Sequence, residues 1–109
     1  MRVLGVDPGL TRCGLGIVEN GTSQKLVMVG VGVIQTSTDI ELAHRLLELE
    51  TQLMVWIKEY KPDVIAVERV FSQLNIRTAM STGQAAGVAL LIAARSGIPV
   101  AMHTPTEVK

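Results

Sequence analysis

The chain has 109 residues, a length that sets one domain as the prior. Hydrophobic residues make up 48% and mean hydropathy is +0.37, which excludes a disordered chain and supplies a real core. Ten basic and ten acidic side chains cancel, so any nucleic-acid footprint must be local rather than a property of the whole surface.

Cys13 is the one cysteine, which excludes an internal disulfide and fits a reducing compartment. No signal-peptide pattern opens the chain, and no apolar run reaches the ~18 residues of a membrane helix. A cytoplasmic protein is the expectation. Val3 to Asp7 reads as a short buried strand stopped by Pro8-Gly9. Its final aspartate should stand at the rim of a sheet. Pro8 to Arg12 is a turn. Cys13 to Glu19 is a second strand, and its two glycines allow a close approach by a backbone or a ligand. Asn20-Gly21 signals a hairpin with a loop longer than two residues. Lys25 to Gln35 is a third, valine-rich strand with Gly30 and Gly32 on one face. Links this short make the three strands an antiparallel meander.

Thr38-Asp39-Ile40-Glu41 has the form of a capping box before a helix. Leu42, Leu46, Leu49, Leu53, Trp56 or Ile57, and Tyr60 then make one apolar stripe, and Pro62 ends the helix. This stripe reads as core or interface. Asp63 to Glu68 is a fourth strand, almost continuously apolar and expected to be buried on both faces. Arg69 to Asn75 is a loop. A second helix covers about 76 to 96, with small residues at Gly83, Ala86 and Gly87, and Gly97 stops it. Ile98 to His103 is a fifth strand. Thr104-Pro105-Thr106-Glu107 opens a further helix, and the sequence stops two residues later. The expectation is one incomplete domain, residues 1–109, without its last helix and inactive by itself.

The order βββαβαβ gives a mixed five-stranded sheet with helices against its faces. The fourth strand should lie beside the first and parallel to it. Asp7 and Glu68 would then share one rim. Two such carboxylates repel unless something stabilises them, and a hard divalent cation does so directly. Two ions about 4 Å apart can activate a water and stabilise a leaving oxygen in phosphodiester cleavage. One or two further acidic ligands would be needed, and the unfinished helix is where they would sit. Asp7 fits an Asx-type turn residue about as well as a ligand. Glu68 fits a partner of Arg69 or Lys109, although a carboxylate after four apolar residues favours a functional reading.

Phe71, the only phenylalanine, stands among Arg69, Ser72, Gln73, Asn75 and Arg77. Cations and amides suit phosphates, and a ring stacks on bases or wedges between them. A lone loop aromatic also fits simple packing. Lys109 and His103 fall near the same rim by topology, as phosphate contact and proton carrier, or as a solvated lysine and a structural histidine. His44 reads as a surface residue and Cys13 as a small buried one.

Gly5-Val6-Asp7-Pro8-Gly9-Leu10-Thr11-Arg12-Cys13-Gly14, Val67-Glu68-Arg69-Val70-Phe71-Ser72-Gln73-Leu74-Asn75, Gly83-Gln84-Ala85-Ala86-Gly87-Val88 and His103-Thr104-Pro105-Thr106-Glu107-Val108-Lys109 together resemble the RuvC family of Holliday-junction resolvases. The likeness runs through the whole chain. It implies a ribonuclease-H-like fold, a homodimer, and Mg²⁺-dependent endonuclease activity that nicks four-way junctions symmetrically in recombination and repair. It implies the branch-migration proteins RuvA and RuvB as partners. Asp7 and Glu68 match two catalytic, metal-binding carboxylates of the family. Phe71 matches an aromatic acting on bases near the crossover, and Lys109 a basic residue important for DNA contact or catalysis. Two further family aspartates lie beyond this sequence. Two other readings stand beside this one. Asp7-Pro8-Gly9-Leu10-Thr11 also resembles the phosphate loop of the actin, Hsp70 and sugar-kinase superfamily, which implies ATP binding. A non-catalytic junction-binding remnant is the third.

Overall fold

The computed structural model describes residues 1–21, 25–68 and 76–103. Its elements are β1 (Arg2–Asp7), β2 (Arg12–Asn20), β3 (Leu26–Gln35), α1 (Leu42–Tyr60), β4 (Val64–Glu68), α2 (Ile76–Arg95) and β5 (Val100–His103). They form one sheet in the order β3-β2-β1-β4-β5. β1 pairs antiparallel with β2, and β2 with β3, as the short links require. β4 pairs parallel with β1 on its other side, and β5 parallel with β4. This is the mixed sheet expected from the element order, and it fits the ribonuclease-H-like fold that the family resemblance implies.

Strand alternation decides where the core sits. Leu4, Val6, Cys13, Leu15, Ile17, Ile34, Ile65 and Val67 point to one face and are buried there. Leu49, Leu53 and Ile57 of α1 and Ala85, Ala89, Ile92 and Ala93 of α2 meet them in a single cluster. Both helices therefore lie on the same face, which corrects the expectation of cover on both. β4 is likewise buried on one face only: Ile65 and Val67 are buried while Val64, Ala66 and Glu68 are half-buried. Its unbroken apolar run misled because alanine and valine are tolerated on a partly open face. On that same open side Val31 and Val33 of β3 remain exposed.

The small residues of β3 have a packing reason. Gly32 pairs with Leu15 and Gly30 with Ile17, so both face the helices. A Cβ added at Gly32 would stand 2.6 Å from the Trp56 ring, and one at Gly30 would stand 2.8 Å from the Tyr60 ring. The two rings lie 5.3 Å apart between centroids, tilted by 31°. Glycine is what lets α1 lie this close to the edge of the sheet.

The capping box is not used. The residue before α1 is Glu41, with no side-chain cap, and Thr38 belongs to a preceding turn. There the Ile40 N–H donates to the Ser37 carbonyl (3.3 Å) and the Asp39 N–H to Ser37 Oγ (3.1 Å). A serine hydroxyl offers the backbone a local alternative to helix, and here that alternative wins. α1 ends at Lys61 in the left-handed conformation (φ 49°), just before Pro62. α2 ends before Gly97, whose φ of 68° suits a residue without Cβ.

Arg2 ties the sheet end opposite Asp7. Its backbone N–H donates to Asp63 Oδ2 (2.8 Å), its Nη1 to the Tyr60 carbonyl (2.7 Å) and its Nη2 to Glu19 Oε1 (3.0 Å). A cation at a helix C-terminus is favoured by the helix dipole.

Gly32→Val is expected to displace Trp56, destabilise the fold by about 1–3 kcal/mol and shift the emission of this sole tryptophan, as read by fluorescence during urea unfolding. Cys13 supplies a second check. Burial pushes its thiol above the ordinary 9.0, the nearby Asp7 charge adds to the rise, and a backbone hydrogen bond at Gly9 opposes it. The folded state therefore prefers the neutral thiol. The stability this contributes is full below the unfolded value and is lost as pH rises through the folded one. Cys13→Ala should flatten that alkaline loss in a melting series, and alkylation of the native thiol should stay slow until denaturant is added.

Candidate metal and nucleic-acid site

The register of β1 and β4 places the two acids. Val6 pairs with Val67, so Asp7 and Glu68, the next residue on each strand, end level at the same rim. Asp7 pairs with Gly14 on β2, and Glu68 with His103 on β5. Alternation turns Gly5, Asp7, Gly14, Gly16, Ala66 and Glu68 to the face opposite α1 and α2. There they line an open cleft of about 410 Å³. Its floor carries almost no side chain. A Cβ at Gly14 would stand 3.5 Å from Asp7 Cβ and 3.9 Å from its Oδ2. The floor is shaped for a ligand that comes near the backbone, and the acids are its only charges among the described residues.

A tight turn fixes Asp7. A Cβ on Gly9 would overlap the Arg12 carbonyl, so the turn closes only with glycine there. Thr36, nearly fully buried, braces the next residues. Its hydroxyl donates to the Leu10 carbonyl, and its N–H donates to the Thr11 carbonyl at 3.2 Å. Arg45 of α1 completes the brace, with Nε donating to Thr36 Oγ1 (3.0 Å) and Nη2 to Thr11 Oγ1 (3.1 Å).

Among the described residues, the carboxylates of Asp7 and Glu68 form no ion pair and no hydrogen bond. Two oxygen-donor carboxylates suit a hard cation such as Mg²⁺ or Mn²⁺. No group of three or more His, Cys, Asp or Glu converges among the described residues. Arg69, Phe71, Gln73, Asn75 and Lys109 lie outside the described residues, and with them both basic partners proposed for Glu68. Arg77 lies in the first turn of α2. His44 is exposed on α1, 4.0 Å from Glu41, as a surface residue should be.

Sequence reasoning missed the brace. The capping-box reading takes in Thr38 alone of the Thr36-Ser37-Thr38 hydroxyl run and gives Thr36 no role. The two glycines of the second strand, Gly14 and Gly16, line the cleft as places of close approach, whereas Ala66 carries no signal in the sequence and only the register identifies it as a floor residue. No described helix is long and apolar enough to cross a membrane.

The family model described as crossover junction endodeoxyribonuclease RuvC matches residues 3–109. A curated relative of that name from Streptomyces avermitilis is 61% identical over all of this chain, which spans 62% of the relative's length. The solved structure of T. thermophilus RuvC in complex with Holliday junction substrate is 28% identical, with a TM-score of 0.88 over 97% of this chain and 67% of that one. More distant likenesses show the fold alone, as with a ROK hexokinase from Thermus thermophilus at 17% identity and a TM-score of 0.56, covering 95% of this chain and 35% of that one. The fold, the paired rim carboxylates and the match over nearly every residue agree: this chain belongs to the RuvC family of crossover junction endodeoxyribonucleases.

Proposed function

We propose that the protein carrying this chain is an endonuclease that resolves four-way DNA junctions by paired nicks, in recombination and repair. Asp7 and Glu68 carry the reading, because they share one rim of an open, glycine-floored cleft with no basic partner among the described residues. Residues 1–109 form the ribonuclease-H-like nuclease domain, completed by further acidic ligands from outside them. Asp7 and Glu68 would hold Mg²⁺, two ions in the complete site. Held by these two carboxylates, such a cation would supply an activated water and stabilisation of the leaving oxygen.

The chain's own residues bind and orient. The floor of Gly5, Gly14 and Gly16 lets a phosphodiester approach the backbone at the rim closely. Arg69, Gln73, Asn75, Arg77 and Lys109 contact the DNA, and Phe71 acts on bases near the crossover. A homodimer places one such site on each of two opposite strands. The protein works in the cytoplasm with the branch-migration proteins RuvA and RuvB.

Asp7→Asn, made in the protein at its relatives' full length, should keep gel-shift binding of four-way junctions. It should lower Mg²⁺-dependent nicking by at least about 10²-fold, the scale for removing one preorganised electrostatic group. Undiminished nicking would remove Asp7 from the chemistry. Phe71→Ala should weaken cleavage with the melting temperature unchanged, and a large fall in melting temperature would assign the ring to the core instead.

A further inference from the structure

Two arginines at the Asp7 end of the sheet, Arg12 and Arg45, are used differently from Arg2. Arg2 has a carboxylate and a helix-end carbonyl as partners. Arg12 and Arg45 have no carboxylate partner among the described residues. Arg45 also sits in the first turn of α1, where a cation opposes the helix dipole. It is nevertheless held in place by two hydroxyls, Thr36 Oγ1 and Thr11 Oγ1. Its Nη1 has no partner among the described residues. Arg12 is exposed and makes no side-chain bond to the described residues. Arg12 lines a second cleft with Thr11, Gln35, Thr36, Ser37 and Thr38, whose described wall holds no acidic residue, and Arg45 is bonded to two of these residues, Thr11 and Thr36. The cleft lies at the Asp7 end of the sheet, because Asp7 pairs with Gly14 and Arg12 pairs with Gln35. β3 is two strands from β1, about 10 Å at the usual spacing.

We propose that this ledge is a phosphate-anchoring subsite: Arg12 and the Arg45 guanidinium, with the hydroxyls of Ser37 and Thr38, take a phosphodiester of the bound nucleic-acid strand a few nucleotides from the one facing Asp7 and Glu68. The inference rests on the nuclease reading above. The chemistry fits a strand backbone. Guanidinium forks and hydroxyls donate to phosphate oxygens without reading base edges, and the ledge is polar and cationic rather than aromatic. Pre-positioning Arg45 on two hydroxyls lowers the entropy lost when it engages an anion. The same contacts would fix which phosphate arrives at the carboxylates.

The test is the salt dependence of four-way junction binding by the full-length protein, measured without divalent metal on two junctions of unrelated sequence. Arg12→Gln should weaken binding on both junctions alike and reduce the slope of log K against log salt by about 0.9, one phosphate contact. Arg45→Gln should do the same. Because Arg45 also braces the turn, its melting curve is recorded in parallel, and Arg12→Gln is the deciding variant since Arg12 has no described side-chain bond to lose. An unchanged slope for Arg12→Gln overturns the subsite, as does weakening confined to one junction sequence. Either result can coexist with an Asp7→Asn protein that binds but does not nick, so the subsite can fail while the nuclease reading stands. Retained nicking by Asp7→Asn fails the nuclease reading itself.

Discussion

Everything at the rim depends on the parallel pairing of β1 with β4. A one-residue slip would turn every side chain of β4 to the other face. Glu68 would then point into the helix-covered core, and Val67 would stand in the cleft. The register is held because Leu4 and Val6 on β1, and Ile65 and Val67 on β4, must all reach the same helices. The hydrophobic face thus fixes the position of the acids. No direct interaction between the acids is needed, and like charges would resist one.

One-sided packing has a second consequence. With α1 and α2 both on one face, the opposite face is free to present a cleft whose floor is backbone and small side chains. Glycines serve both faces of this sheet for different reasons. Gly30 and Gly32 admit the rings of Tyr60 and Trp56 on the helical side. Gly5, Gly14 and Gly16 keep the other side clear. β2 carries both demands on alternate residues, Cys13, Leu15 and Ile17 inward and Gly14 and Gly16 outward.

Charge is divided between the two ends of the sheet. At the end of Arg2, cations meet acids and helix-end carbonyls and serve stability. At the end of Asp7, acids and cations stand apart, on separate clefts, with no ion pair between them among the described residues. Exposed ion pairs contribute little to stability in any case. Leaving charges uncancelled is how a neutral chain still presents a local electrostatic footprint.

The sequence by itself determined the elements, their order and the identity of the two acids. Strand period, helix period and Pro or Gly punctuation are local signals, and Val3 to Asp7, the Leu49-Leu53-Ile57 stripe and the Gly97 stop were all legible in them. It also carried the motifs that resemble the RuvC family. It did not decide which face the helices cover, because an apolar run such as Val64 to Val67 reads alike whether one side or both are buried. It misassigned Thr38, because a hydroxyl near a helix start caps or turns according to a competition that only neighbouring backbone settles. Tertiary structure alone brought Gly14 against Asp7 and Arg45 onto Thr11 and Thr36. Those contacts join residues far apart along the chain, and the sheet register that creates them is a property of the packed core rather than of any single segment.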